Sequence, residues 1–360
     1  MTKLMLGKRA IGPREPVLVI AEIGVNHDGS VARALELVEL AAECGADAVK
    51  LQVFHAGALV HASCRLADYQ QRAGAPRDPG TMLRKYELST ADLKRVVDRV
   101  RALKLLPVAT PFSPADVETI AALNLPVVKI ASPDLVNRLL LEATAAIGRP
   151  LLISTGAATM QEIDQCARWM RDWQTPFALL HCISSYPTPA AEAHLGWISE
   201  LRQRFDVPVG YSDHTNITHA GALAVGAGAR FVEKHLTYDR SAAGPDHAAS
   251  GDAKSFARYV KLIRQTEEML GQPGKCVLDR ERDVRLVSRQ SLVLCRALRA
   301  GEPIQRKDLS VQRPGTGVSP AMMEQIVGRK ITRDLPAGAL LKWDMISRGS
   351  AALGELRLSA

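Results

Sequence analysis

Residues 107–132 read PVATPFSPADVETIAALNLPVVKIAS. Two short apolar runs, PVATPF and VVKIAS, enclose a segment that opens on Ser113 with Pro114 at its first helical position. A serine hydroxyl accepts from the free N–H groups of a first turn, and proline suits that turn because it lacks the N–H that would go unpaired. The stretch is therefore a strand, a helix and a strand. The same unit recurs outward in both directions. Ser30 precedes VARALELVELAAE, and Ser89, with Asp92 three residues on, precedes LKRVVDRVRALK. The strand candidates are PVLVIAEIG (16–24), DAVKLQVF (47–54), PVATPF (107–112), VVKIAS (127–132), PLLISTG (150–156), FALLHCIS (177–184), PVGYSDH (208–214) and RFVEKHL (230–236). Nearly continuous apolar strands joined by helices require a parallel sheet covered on both faces. Eight such units in about 255 residues match the length of a (β/α)8 TIM barrel, with a doubly wound open sheet as the competing arrangement.

Two stretches depart from this rhythm. Residues 55–85, including GAPRDPG, have no clear period and fall in the second βα connection, either as a tolerated surface insertion or as a loop that covers a substrate. After the eighth helix, Asp252 to Leu270, GQPGK ends the βα pattern. Beyond it, Arg296-x-Leu298-x-Ala300-Gly301-x-x-Ile304 recurs as Arg333-x-Leu335-x-Ala337-Gly338-x-x-Leu341, with Asp308 and Asp344 following the two copies. So short a half-repeat suggests a small, pseudo-symmetric, turn-rich domain. The expected division is a barrel over 1–271, a linker over 272–285, a small β-rich domain over 286–348 and a tail over 349–360.

Composition narrows the class. The 360 residues are 47% hydrophobic and 23% charged, which suits a globular chain and excludes a disordered or fibrous one. The net charge of +8 is uneven, since residues 281–360 hold 14 basic and 8 acidic side chains. Aromatics make up only 4%, and no basic-aromatic stretch is present of the kind that stacks bases, so no nucleic-acid partner is expected. The six cysteines (44, 64, 166, 182, 276 and 295) lie far apart without a C-x-x-C pair and read as reduced thiols. The first residues lack an apolar h-region and no run reaches the roughly 18 apolar residues of a membrane span, so a cytoplasmic protein without membrane contact is expected.

In a barrel, side chains at the C-terminal strand ends share one mouth. Here those ends carry Glu22, Lys50 and Gln52, Thr110, Lys129 and Ser132, Ser154, His181 and Ser184, Ser212 and His214, and Glu233 and His235. Lys50 and Lys129 end apolar strands, where a buried ammonium needs a counter-charge. An anionic substrate would supply it, or Glu22 and Glu233 would. The serine and threonine hydroxyls are donors suited to phosphate or carboxylate oxygens. His214 and His235 end adjacent strands and, with a carboxylate such as Glu22, could hold a divalent metal, or else be hydrogen-bonded core residues. Asp246, in the GPDH turn, can bind a polyol hydroxyl or assist proton transfer.

AEIGVNHDGS, KLQ, TPFS, VKIAS, ISTGAAT, LHCISSYPTP, GYSDHT, VEKHLT and GPDH resemble, in order and spacing, the motifs of the N-acetylneuraminate (sialic acid) synthase family. VQRPGTG and its flanking repeats resemble the antifreeze-like (SAF) domain of the same enzymes, so the likeness runs from residue 16 to 348. The resemblance implies a TIM barrel followed by an SAF domain that reaches over the barrel of a partner subunit in a domain-swapped homodimer. It also implies a reaction: phosphoenolpyruvate condenses with the aldehyde of an N-acetylated hexosamine, typically N-acetylmannosamine, with C–O cleavage and release of phosphate.

Carried over by position, the resemblance puts a divalent metal, Mn2+ with Mg2+ or Co2+ as alternatives, on His214 and His235. It puts the phosphoenolpyruvate carboxylate on Lys50, Thr110 and Ser132, and the phosphate on Lys129, Ser154, Ser184 and Ser212. Gln52, Asp134, Tyr186 and Asp246 fall on the sugar side, Arg313 reaches the N-acetyl group from the neighbouring subunit, and Glu22 orients or deprotonates the attacking water. Two positions depart from the family: Asp134 stands where glutamate is frequent, and Ser184 where some members have asparagine. The shorter carboxylate at 134 leaves open the branches that make legionaminic or pseudaminic acid from diamino sugars. A Schiff-base aldolase using Lys129 or Lys50 and a non-catalytic sugar-binding protein are the more distant alternatives.

Overall fold

The computed structural model describes residues 3–61 and 78–348, and the chain divides into two compact units, Met1–Gln272 and Pro273–Ala360. In the first, β3 (Leu18–Glu22), β4 (Ala48–Val53), β5 (Leu106–Pro111), β6 (Val128–Ile130), β7 (Leu151–Ser154), β8 (Phe177–Cys182), β9 (Val209–Asp213) and β10 (Phe231–His235) close into a barrel. All neighbouring pairs are parallel, and β10 pairs with β3 to complete the ring. The open sheet is thereby excluded. Ser30, Ser89 and Ser113 cap their helices as expected, each hydroxyl accepting a backbone N–H three residues on.

Strand residues alternate between two faces, so each strand carries two stripes. The outward stripe, for example Val19 and Ala21 or Val49 and Leu51, packs against the helices in the larger hydrophobic cluster. The inward stripe changes character along the strand: Leu18, Ile20, Ala48, Val108, Leu152, Leu180 and Phe231 fill the barrel interior, and polar groups follow one step later. Leu4, Leu6 and Ile11 join this inner cluster. They belong to an antiparallel hairpin, β1 (Leu4–Leu6) and β2 (Arg9–Ile11), that the strand count from residue 16 onward does not include. The apolar end of the interior is thus plugged and the polar end is left open.

The second unit pairs β11 (Ser291–Leu294) with β12 (Leu309–Gln312) around a small core that includes Leu292, Leu298, Ile304, Ile326, Leu335 and Leu341. The half-repeat has a direct structural meaning. Leu298 and Leu335 exchange both backbone hydrogen bonds, at 3.0 and 2.9 Å, so the two copies face each other. Each copy turns on a glycine in the left-handed region, Gly301 at φ 83° and Gly338 at φ 82°. Each arginine reaches the aspartate of its own copy, Arg296 to Asp308 at 2.7 Å and Arg333 to Asp344 at 3.6 Å. Within the segment expected as a linker, Asp279–Glu281 forms a 3-10 turn and Arg282–Ser288 begins a helix, all grouped with the second unit.

Candidate active site

A cavity of about 630 Å³ opens at the C-terminal end of the barrel. The inward stripe dictates its floor, since Lys50 and Gln52 continue Ala48, Thr110 continues Val108, Ser154 continues Leu152, and Glu233 and His235 continue Phe231. Ser132, Asp134, Ser184, Tyr186, Ser212, His214, Asp246 and Lys129 also line it. Of the expected site residues in the barrel, Glu22 alone does not reach the cavity surface. It is fully buried beneath Lys50, and its Oε1 accepts the Gly24 N–H at 2.8 Å. Arg313 belongs to the second unit. His181, although at a strand end, faces away from the cavity: its Nε2 meets the Ala193 carbonyl at 2.8 Å, and its ring packs against Trp197 and Tyr211.

Two cations sit in different surroundings. Lys50 Nζ lies 2.7 Å from Glu22 Oε2 and 3.0 Å from Glu233 Oε1, and burial pulls its pKa down to about 8 against the pull of Glu233. Lys129 Nζ donates to Ser154 Oγ at 2.6 Å and to the Ile130 carbonyl at 3.0 Å, both uncharged acceptors. Its ammonium is therefore the one better placed to take an anion from the cavity. Hydroxyls surround that position. Gly156 N donates to Ser132 Oγ at 3.1 Å, and a Cβ on Gly156 would stand 2.4 Å from Ser184 Oγ and 2.8 Å from Ser132 Oγ. The bare glycine thus leaves room for the serine cluster. Thr110 Oγ1 is buried without a hydrogen-bond partner.

Opposite this cluster, Tyr186 lies against His214 with ring centroids 4.1 Å apart and planes tilted by 33°, and meets His235 edge-on at 6.0 Å. Burial lowers the pKa of His214 to about 4 and that of His235 well below the ordinary value, so both imidazoles are neutral at neutral pH, as metal ligation requires. His214 Nδ1 faces the Ile183 carbonyl at 2.8 Å, which selects the tautomer with a bare Nε2. His235 Nδ1 is buried without a hydrogen-bond partner, 3.8 Å from Asp246 Oδ2. His214 Nε2 meets only Ser212 Oγ, at 3.3 Å, and with the orphaned His235 Nδ1 it fits a divalent cation. Among the described residues no cluster of three or more His, Cys, Asp or Glu converges, and Glu22 does not line the cavity beside the two imidazoles.

From the sequence Glu233 was expected only as a counter-charge for the strand-end lysines, with no part toward substrate; its Oε1 does accept from Lys50 and, at 3.1 Å, from Ser212 Oγ, while Oε2 has no partner and faces the cavity. Burial would raise its pKa, but Lys129 and Lys50 outweigh that and hold it ionised. Cys182 was also missed; its Sγ lies 3.1 Å from Ser132 Oγ. Parity along FALLHC puts Cys182 on the stripe of Ala178 and Leu180, and His181 on the other. The third omission is an apolar wall made by Val25, Phe54, Leu59, Met82, Leu83 and Phe112, with Tyr86 beside it. Much of it comes from residues 55–85, so the described part of the aperiodic segment does line the cavity; residues 62–77 and Cys64 lie outside the described residues. The other five cysteines are free thiols. No described helix is long and apolar enough to cross a membrane.

Residues 37–275 match the model of the NeuB family, which is about two thirds of the chain. The chain belongs to the NeuB family. Residues 289–347 match the SAF domain, so the second unit is the SAF module expected of this NeuB chain. An N,N'-diacetyllegionaminic acid synthase from Legionella pneumophila is 37% identical over 94% of this chain and 97% of its own. An N-acetylneuraminate-9-phosphate synthase from Mus musculus is 30% identical over 90% of each chain. The crystal structure of an N-acetylneuraminic acid (sialic acid) synthetase from Leptospira borgpetersenii, in complex with citrate, is similar with a TM-score of 0.70 and 31% identity, covering 79% of this chain and 95% of that one. All three are named as synthases or synthetases, and this NeuB chain is an enzyme of that kind.

Proposed function

We propose that this NeuB-family enzyme condenses phosphoenolpyruvate with the open-chain aldehyde of an N-acetylated hexosamine, giving a nonulosonic acid and inorganic phosphate. The observation that carries this reading is the pairing, in one cavity, of a lysine whose hydrogen-bond acceptors are a hydroxyl and a carbonyl with two neutral imidazoles. Lys129, Ser154, Ser184 and Ser212 hold the phosphate of phosphoenolpyruvate, and Lys50, Thr110 and Ser132 its carboxylate. C3 of the enol attacks the aldehyde carbon, water adds at C2, and phosphate leaves with C–O cleavage as C2 becomes a ketone. His214 and His235 hold the divalent cation, Mn2+ by family resemblance, which supplies Lewis acidity at the aldehyde oxygen when bound.

The protein's own groups divide the remaining work. Glu22 acts through Lys50, holding its ammonium toward the carboxylate, and Glu233 is the ionised carboxylate that faces the cavity and can orient the water. Asp246, whose pKa burial raises to about 6, holds a proton part of the time near neutral pH and meets a sugar hydroxyl. Gln52, Asp134 and Tyr186 complete the sugar side. Arg313 of the partner subunit would meet the N-acetyl group in a swapped dimer; Arg313→Ala then raises KM for the sugar alone, and a monomer in solution counts against this assignment.

A second reading of the acceptor is favoured by the apolar wall. A fully hydroxylated sugar makes no hydrogen bonds to Phe54, Leu59, Met82 or Leu83, whereas a second N-acyl methyl buries against them, so a diacylated diamino sugar is the alternative to N-acetylmannosamine. A panel of N-acetylated hexosamines with phosphoenolpyruvate, ranked by kcat/KM from phosphate release, tests both. No phosphate with any sugar, or a borohydride-trapped lysine adduct without phosphate, would overturn the synthase reading.

A further inference from the structure

Two motif segments have no part in the chemistry above: NHDG after β3, and His247 of the GPDH turn after β10. Neither Asn26, Asp28 nor His247 lines the cavity, yet Asp28 and His247 are in contact with each other. Asp28 Oδ1 lies 3.2 Å from His247 Nε2, and Asp28 Oδ2 accepts from the Tyr238 hydroxyl at 2.8 Å. His247 Nδ1 lies 2.7 Å from Thr237 Oγ1. The imidazole is thus held at both nitrogens, one by the β3 loop and one by the strand-end residue that precedes the turn. It is 1% exposed, and a Cβ on Gly244 would stand 2.6 Å from its Cδ2, so the ring fills the inside of the turn. A second tie runs in parallel. Asn26 Nδ2 donates to the Leu236 carbonyl at 2.9 Å and to Ser250 Oγ at 2.8 Å, and Ser250 Oγ donates to the Asp246 carbonyl at 2.6 Å.

We propose that Asp28 and His247 form a clasp that holds the 244–247 turn against the β3 loop and so sets where the Asp246 carboxyl stands in the cavity. Both are positioning residues. A carboxylate that also takes the Tyr238 hydroxyl is a fixed acceptor, and an imidazole bonded at both nitrogens cannot rotate without losing one bond. His247 directly follows Asp246 in the chain, so tilting that ring moves the neighbouring Cα. The Val25 backbone, on the same β3 loop, also favours the ionised Asp246 carboxyl, a further link between loop and turn. The arrangement couples the first and last strands of the barrel at the side of the cavity assigned to the sugar. The kinetic consequence rests on the synthase reading, whereas the mechanical one does not.

The test uses the full-length chain with Asp28→Asn, which keeps the shape but turns one acceptor into a donor facing a donor. Amide hydrogen exchange over residues 244–251 and steady-state kinetics with phosphoenolpyruvate and the best sugar are measured together. Exchange in the turn should quicken, and KM for the sugar should rise about ten-fold while that for phosphoenolpyruvate stays unchanged. Tyr238→Phe removes one hydroxyl from a partly exposed ring and should act in the same sense but less; it carries the test alone if Asp28→Asn does not fold. Unchanged exchange in a folded variant, or a parallel rise in both KM values, would overturn the clasp. If the wild-type protein turns over no sugar, the synthase reading fails and the exchange measurement alone decides the clasp.

Discussion

Lys50 sits between two carboxylates while Lys129, one strand-end over from Ser154, has only hydroxyl and carbonyl acceptors. Residue type alone could not separate them, since both are lysines at the ends of apolar strands. What separates them is the neighbour that the ring closure brings opposite, because β10 pairs with β3 and carries Glu233 to Lys50. The same scale makes Gly156 a critical position. Gly156→Ala places a methyl 2.4 Å from Ser184 Oγ and 2.7 Å from Cys182 Sγ, so KM for phosphoenolpyruvate should rise by about ten-fold or more with little change in Tm. A collapsed variant would show a packing role instead. His235→Ala should keep the fold and lose manganese affinity in calorimetry as well as turnover; a variant that unfolds would mark His235 as a core histidine.

At the scale of elements, local signals were legible where they are local in origin. Ser113 with Pro114, Ser30, and Ser89 with Asp92 each announced a helix start, because an N-cap bond closes within three residues and needs no tertiary partner. Ser113→Ala should cost about 1 kcal/mol in denaturant unfolding. The N-terminal hairpin escaped because strands of three residues are too short to show a period, and their reason to exist is the apolar barrel end they cover. Leu6, fully buried there, offers the check: Leu6→Ala should destabilise the protein by about 2–5 kcal/mol while KM for phosphoenolpyruvate is unaffected, since the cavity lies at the other end of the barrel.

At the scale of the molecule, buried histidines tie stability to pH. Burial lowers the pKa of His27, 1% exposed in the β3 loop, to about 4, below its unfolded value of about 6.5. Between those values the unfolded chain binds the extra proton, so stability is full above the unfolded pKa and is lost as pH falls toward the folded one. From about pH 7 to about pH 5 this one group should cost on the order of 2 kcal/mol. His27→Asn should flatten that part of the acid limb, seen as a shallower fall of Tm. His181, also lowered by burial, adds in the same direction. The basic surplus of the last 80 or so residues resides in the SAF unit.

The βα repeat, the parallel barrel and the pseudo-symmetric second unit were determined by the sequence itself, because strand alternation, helix caps and a half-repeat are written within a few residues of the groups they order. Even His181 and Cys182 could have been sorted by strand parity alone. Tertiary structure decided the rest. That Glu22 lies beneath Lys50, that Glu233 faces the cavity, and that the segment at 55–85 supplies an apolar wall depend on which strand closes beside which and on how far each side chain reaches over its neighbour. The longest of these relations, Lys50 with Glu233, spans 183 residues of chain, and no local pattern encodes it.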